Sequence, residues 1–173
     1  FCLSRGLGDV YKRQVQDGLD SSMRVLTDIN QLFKTFGIVS REEFKTFAQP
    51  LLARNPYIQG FAYHRYLSHQ DRAAYEAEMR KHIPDFTITE MVDGKRVTAP
   101  ERPRYRVVDY IVPIAGNEAA LGFDADSYPF QTAAMRRAVD TGQPSATGLL
   151  HLIQERAACL LYTSPSPRDR QKS

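Results

Sequence analysis

The order in which apolar periodicities run along the chain constrains its fold more than any single motif. Two helix-like stripes precede every strand-like run. Leu19, Met23, Leu26, Ile29, Phe33 and Phe36 recur at three- and four-residue spacing, the stripe of an amphipathic helix that Gly37 would end. Ser40 with Glu43 is a capping-box pattern for a second helix with Phe44, Phe47, Leu51 and Leu52 on its apolar face. Pro50 should kink or end that helix, and Asn55-Pro56 breaks the chain. Ile58 to Tyr66 then reads as a strand. Ser68 and Asp71 start a helix running to about His82, which Pro84 stops. Phe86 to Val92 and Arg96 to Thr98 flank Asp93-Gly94, a hairpin signal. Tyr105 to Ile114 is the most strand-like run, rich in Val, Ile and Tyr. Ala115-Gly116-Asn117 turns the chain, and Ala120 to Phe123 returns as a short strand. Ser127 and Pro129 open a last helix, which Gly142 closes, and Ala146 to Ile153 is the final strand. A doubly wound parallel sheet needs strict strand–helix alternation, and this order lacks it. The prediction is an α+β domain with a central antiparallel sheet.

The two ends call for separate treatment. Ser4 to Gln14 can be encoded by a DNA stretch whose reverse complement, read one base out of register, gives Cys-Leu-Leu-Tyr-Thr-Ser-Pro-Ser-Pro-Arg. That is the run from Cys159 to Arg168. Both ends therefore read as one DNA translated on opposite strands. It resembles the transposon-end adaptor of shotgun sequencing libraries, which has no part in fold reasoning. The expected division is 1–14 and 159–173 as adaptor-derived and 15–158, about 144 residues, as natural. A segment of that size can bury a real core.

This division changes what charge implies. The chain carries 23 Lys and Arg against 20 Asp and Glu. Six bases and two acids fall in the flanks, so the natural segment has 17 against 18, a net charge of −1. A basic character confined to the ends is no argument for nucleic acid. Cys2 and Cys159 also lie in the flanks, which removes disulfide, thiolate and cysteine–metal chemistry from the natural segment. No run approaches the ~18 apolar residues that a membrane span requires.

Catalytic patterns are missing. His64, His69, His82 and His151 show no metal-ligand spacing, and no cofactor is expected. Glu118, Asp124 and Asp126 lack the glycine-centred spread of a calcium loop; capping of the following helix by Asp126 or Ser127 explains them more simply. Thr132, Ser145 and Thr147 have no base or orienting acid in sequence context. What remains is a set of aromatic and polar residues on predicted strands: Tyr63, Arg65, Tyr105, Tyr110, Phe123 and Thr147. They suit either an apolar pocket with a few placed polar groups or half-buried sheet positions with wet hydroxyls.

The run Tyr105-Arg106-Val107-Val108-Asp109-Tyr110-Ile111-Val112-Pro113-Ile114, followed by Asn117 and Gly122-Phe123-Asp124, resembles the core of the CHASE domain. The likeness continues through Ser127, Pro129, Ala138 to Gly142, Thr147, Leu150 and Gln154. Upstream it takes in Arg41 to Phe44, Tyr63 to Arg65, Arg72 and Tyr75. CHASE domains are extracytoplasmic sensor modules, flanked by transmembrane helices, of receptors whose outputs include histidine kinases, diguanylate cyclases, phosphodiesterases and adenylate cyclases. The resemblance implies a long stalk helix (15–39) followed by a sensor domain (40–158) with a PAS-like antiparallel sheet and flanking helices. It implies a location on the periplasmic face of the membrane, with anchoring helices outside this fragment. The stalk stripe would either pack on its own sheet or double as the seam of a homodimer.

The residues expected to line the ligand pocket are Tyr63, Arg65, Tyr105, Val107, Leu121, Phe123 and Thr147. Plant members of the family read the adenine ring of cytokinins with an aspartate ahead of the tyrosine strand. Val97 to Arg102 contains none, whereas Arg65, Arg102 or Arg104 would favour an anionic ligand such as a carboxylate. Two other classes stay open: a dimerising ectodomain without a ligand, and a soluble enzyme.

Overall fold

The computed structural model describes residues 2–37, 39–151 and 157–163. Helices α1 (Cys2–Phe36) and α2 (Arg41–Arg54) come first, then β1 (Phe61–Ser68) and α3 (His69–Arg80). A hairpin of β2 (Thr89–Val92) and β3 (Lys95–Thr98) precedes β4 (Arg104–Val112). Helix α4 (Pro129–Thr141) and the ribbon of β5 (Ser145–His151) and β6 (Ala157–Tyr162) complete the order. The class is α+β. The last predicted strand, Ala146 to Ile153, is found up to His151; its end lies outside the described residues.

Helix α1 extends well upstream of the Leu19 start that the apolar stripe predicts. Its core-facing side is narrower than the stripe. Val25 and Ile29 are buried, with Leu32 and Phe33 packed against the same cluster. Leu19 and Phe36, at the ends of the stripe, are 42% and 70% exposed. Among the described side chains, those that enter the core belong to the middle turns.

The capping box of α2 forms as the pattern predicts. The Ser40 amide donates to Glu43 Oε2 at 2.8 Å, and the Glu43 amide donates to Ser40 Oγ at 3.3 Å. Pro50 does not end this helix, which continues to Arg54. Proline inside a helix costs about 3 kcal/mol. Here the proline lies on the exposed side, while Phe44 and Ala48 are sealed in the core with Leu51 and Leu52 against them. Burial of that face outweighs the lost backbone bond.

Three antiparallel two-stranded ribbons replace the single central sheet: β1 with β4, β2 with β3, and β5 with β6. Two of them are joined by Gly122, Phe123 and Asp124. The predicted strand over Ala120 to Phe123 is instead a 3-10 turn, Glu118–Ala120, followed by isolated bridges of Phe123 to Thr89 and Asp124 to Val107. Val108 donates to Phe123 O at 3.0 Å and Asp124 donates to Thr89 O at 2.8 Å. The result is one hydrogen-bonded layer in the order β3, β2, residues 122–124, β4, β1. The bridge to Thr89 is parallel and the rest antiparallel. Within the connector Gly122 lies directly against Phe86. Gly122 has φ +75°, and a Cβ there would lie 2.9 Å from the Phe86 ring.

Between β1 and β4 the register skips one residue. Tyr63 pairs with Tyr110 and His64 with Val108, so Asp109 is the extra residue of a bulge in β4. On one face of this pair, Phe61, Tyr63, Tyr110 and Val112 meet α1 and α2. Further along that face, Leu67, Tyr105 and Val107 pack with Ile88, Ala99 and Tyr75. The other face presents His64, Tyr66, Arg106 and Val108.

Gly122→Ala should destabilise the domain by about 1–3 kcal/mol, because the position combines a left-handed backbone with a contact that cannot open. Urea unfolding with an unchanged midpoint would refute this account of the connector.

Candidate functional site

The bulge turns Asp109 toward α2 and α3, where its side chain has no solvent exposure. Three elements supply its partners. Arg41 at the start of α2 donates from Nη2 to Oδ1 at 2.6 Å. Arg65 of β1 donates from Nε to Oδ2, also at 2.6 Å. Tyr75 of α3 donates its hydroxyl to Oδ1 at 3.1 Å. Burial pulls the Arg65 guanidinium down, and the facing Asp109 carboxylate outweighs this and holds it above its usual range. Burial also pushes the Tyr75 phenol far up, helped by the same carboxylate. Tyr75 is therefore a fixed donor and Arg65 a cation.

Two neighbouring clusters use their charges differently. Glu76 takes the Ile88 amide at 3.0 Å, Arg72 Nε at 2.9 Å and Arg80 Nη2 at 3.0 Å. These bonds overcome its burial and keep the carboxyl below the usual range. Arg102 binds Glu90 and, at 2.7 Å, Asp124. Asp124 also accepts the Arg106 amide at 2.9 Å and caps the 3-10 turn Ala125–Ser127 through the Asp126 amide. The α4 N-cap is Tyr128, without a side-chain bond, rather than Asp126 or Ser127. Arg102 is thus committed to a carboxylate pair that fixes the 122–124 connector.

Of the seven residues expected to line a pocket, Tyr63, Arg65, Tyr105 and Val107 share one face of β1 and β4. Tyr63 is stacked between Phe33 of α1, at 4.9 Å, and Tyr110, at 4.8 Å. Val107 is fully buried core. The buried Tyr105 hydroxyl accepts from Arg72 Nη1 at 3.0 Å and from the Arg102 amide at 2.9 Å, and donates to Pro100 O at 3.1 Å. It organises the 99–102 loop. Phe123 sits in the connector, and the Leu121 carbonyl accepts from Arg96 at 2.6 Å. Thr147 belongs to the β5–β6 ribbon, where it accepts the Leu160 amide at 3.0 Å. The structure brings the first four together and leaves Leu121, Phe123 and Thr147 on other elements.

Arg41, Tyr75 and Asp109 were absent from the expected set. Asp109 was detectable as a lone charge inside an apolar strand run, since a carboxylate buried there must have cationic partners. Which cations would reach it depends on a bulge and two helix placements that no local pattern encodes.

On the opposite face of β1, His64 Nδ1 is sealed from solvent with no hydrogen-bond partner among the described residues, and its ring meets Tyr162 edge-on at 5.9 Å. Loss of hydration, then the nearby Arg106 charge, lower its pKa from 6.5 to about 4. Between those values the unfolded chain binds the proton and the folded domain does not, so stability falls as pH drops through that window. His64→Phe should flatten this dependence. Urea unfolding of both proteins at pH 7 and pH 4.5 measures it; parallel losses in the two would exclude His64 as the source.

Among the described residues no group of three or more His, Cys, Asp or Glu gathers as a metal site. No described helix is long and apolar enough to cross a membrane. No curated protein matches the chain significantly. The family model for the CHASE domain matches residues 37–170, a span that contains the β1–β4 pair, the Asp109 cluster and α4. The chain therefore belongs to the CHASE-domain family, the extracellular sensor modules of receptors, and is a sensory rather than a catalytic domain.

Proposed function

We propose that this domain is the small-molecule-sensing module of a transmembrane receptor of the histidine kinase or diguanylate cyclase/phosphodiesterase type. It stands on the periplasmic face of the membrane, with anchoring helices in the parent protein. In this reading α1 is the stalk and the seam of a homodimer, and the composite layer of β1 to β4 is the PAS-like sheet that holds the ligand. The bound molecule is anionic and contacts residues among Tyr63, Arg65, Tyr105, Val107, Leu121, Phe123 and Thr147. Residues 1–14 and 159–173 are translated adaptor. On that division Cys159 to Tyr162, which pair with β5 as part of β6, are not natural sequence.

The observation that carries this reading is the aromatic stack of Phe33, Tyr63 and Tyr110. A sensor needs an element whose position depends on the bound state. Here the candidate stalk and the strand pair touch through flat rings at van der Waals distance, so a change in β1–β4 geometry reaches α1 directly. Tyr110 adds a hydrogen bond from its hydroxyl to Val39 O at 3.0 Å, in the link between α1 and α2.

The test has two arms. A thermal-shift screen of the chain against anionic metabolites should give saturable stabilisation by at least one compound. Phe33→Leu keeps the apolar volume but removes the stack, worth ~0.5–1.5 kcal/mol beyond burial. In the parent receptor it should abolish the output response while leaving ligand affinity intact. A screen without hits favours a ligand-free dimerising ectodomain; an unaltered output response in Phe33→Leu removes the stack from the signalling route.

A further inference from the structure

The ion clusters of this domain differ in what their cations still have to give. At Glu76, two guanidiniums also face one carboxylate, and each spends a further nitrogen on a carbonyl. Arg72 Nη1 reaches the Ala99 oxygen at 2.9 Å and Arg80 Nε reaches that of Phe86 at 2.9 Å. At Arg102, two carboxylates face one guanidinium. The Asp109 cluster is the exception. Asp109 is saturated by Arg41, Arg65 and Tyr75, whereas Arg65 contacts it through Nε alone. Among the described residues Arg65 has no other acceptor. Its side chain is 49% exposed and that of Arg41 is 42% exposed. Arg41 and Arg65 thus share one buried anion, and the Nη edge of Arg65 takes no described acceptor. Asp109 fixes the plane of that edge, and a guanidinium edge of fixed orientation is the partner a carboxylate fits with two parallel hydrogen bonds.

We infer that the Arg41–Arg65 pair, held by Asp109 and Tyr75, is a recognition site for a carboxylate-bearing small molecule. The inference rests on the reading of the domain as a sensor of anionic ligands and assigns that ligand its chemical class and its seat. A guanidinium fork matches the two coplanar oxygens of a carboxylate. Arg65 supplies the fork and Arg41 the second cation. Tyr75 acts through Asp109 as a positioning residue, holding the carboxylate that orients both.

The test is an NMR titration of the arginine Nε–H signals of the chain with acetate, succinate and inorganic phosphate in turn, at low ionic strength. The Arg65 and Arg41 signals should move saturably with acetate and succinate, while those of Arg102 stay in place. Arg65→Lys, which keeps the charge and loses the fork, should weaken carboxylate binding about tenfold, and Arg41→Gln about as much. Far-UV circular dichroism of each variant confirms the fold. Equal movement of exposed arginines such as Arg137 would mean salt effects only and overturn the site. Tighter binding of phosphate would overturn the ligand class, and undiminished affinity in Arg65→Lys would overturn the fork. Metabolites that bind in the thermal-shift screen yet are indifferent to both substitutions would leave the sensor reading standing and remove this one. Saturable acetate binding at Arg65 without any metabolite hit would do the reverse.

Discussion

A carboxylate with no exposure in the middle of an apolar strand is the constraint around which this domain is arranged. Asp109 cannot stay ionised in the core without cations and hydrogen bonds to replace water. It draws one partner each from α2, β1 and α3. Three separately formed elements are thereby tied to one atom pair on β4. Breaking a buried pair by removing one partner costs about 3–5 kcal/mol. The half-exposed arginines hold the lower end of that range, because each keeps part of its hydration. The cluster therefore gives the packing its register more than its strength. Apolar burial supplies the strength: Phe44 and Ala48 against Tyr110 and Val112 on one side, Ile88 and Ala99 against Tyr105 and Val107 on the other.

The bulge is what makes this possible. Without the extra residue, strict alternation along β4 would place Tyr105, Val107 and Asp109 on one face and Tyr110 on the other. With it, Tyr110 and Val112 return to the face that α1 and α2 cover, in register with Tyr63 and Phe61. One inserted position thus lets a single strand face present two apolar clusters with a charged node between them. The Glu76 and Arg102 clusters serve the loops instead. The first fastens the 86–88 loop to α3, and the second ties the 122–124 connector, already bridged to β2 and β4, to the 99–102 loop.

Local chemistry was readable in the sequence, and long-range partnership was not. The Ser40–Glu43 capping box, the Asp93-Gly94 turn and the Gly142 stop depend on a few neighbouring residues, and each forms where the pattern predicts. Pro50 misleads because tertiary burial of Phe44 and Ala48 outweighs a local penalty. The 120–123 segment misleads because a 3-10 turn takes up its start and Phe123 makes an isolated bridge in place of a ladder. The α1 stripe overstates its buried side, since periodicity shows which residues could be covered and not how far the covering body extends. For the site, Arg65 was legible as a cation on an aromatic strand. Arg41 reads equally well as an ordinary first-turn residue, and only the docking of α2 on β4 makes it the second cation.

The position of the cluster relative to the α1–α2 corner gives it mechanical meaning. Adjacent bulge residues hold adjacent parts of that corner: Tyr110 binds the Val39 carbonyl and Asp109 binds Arg41 two residues on. Between α1 and these contacts lie only Gly37, with φ +73°, and its short connecting segment. A bulge is the part of a strand pair least restrained by ladder hydrogen bonds, so it can rotate without unzipping β1 from β4. Any load applied at Arg65 or Asp109 is borne by the residues that clamp the corner, and packed interfaces respond to such loads by stepping between arrangements rather than by stretching. Sheet, bulge and corner form a linkage in which Asp109 and Tyr110, two side chains of one strand, hold the segment that leads to α1.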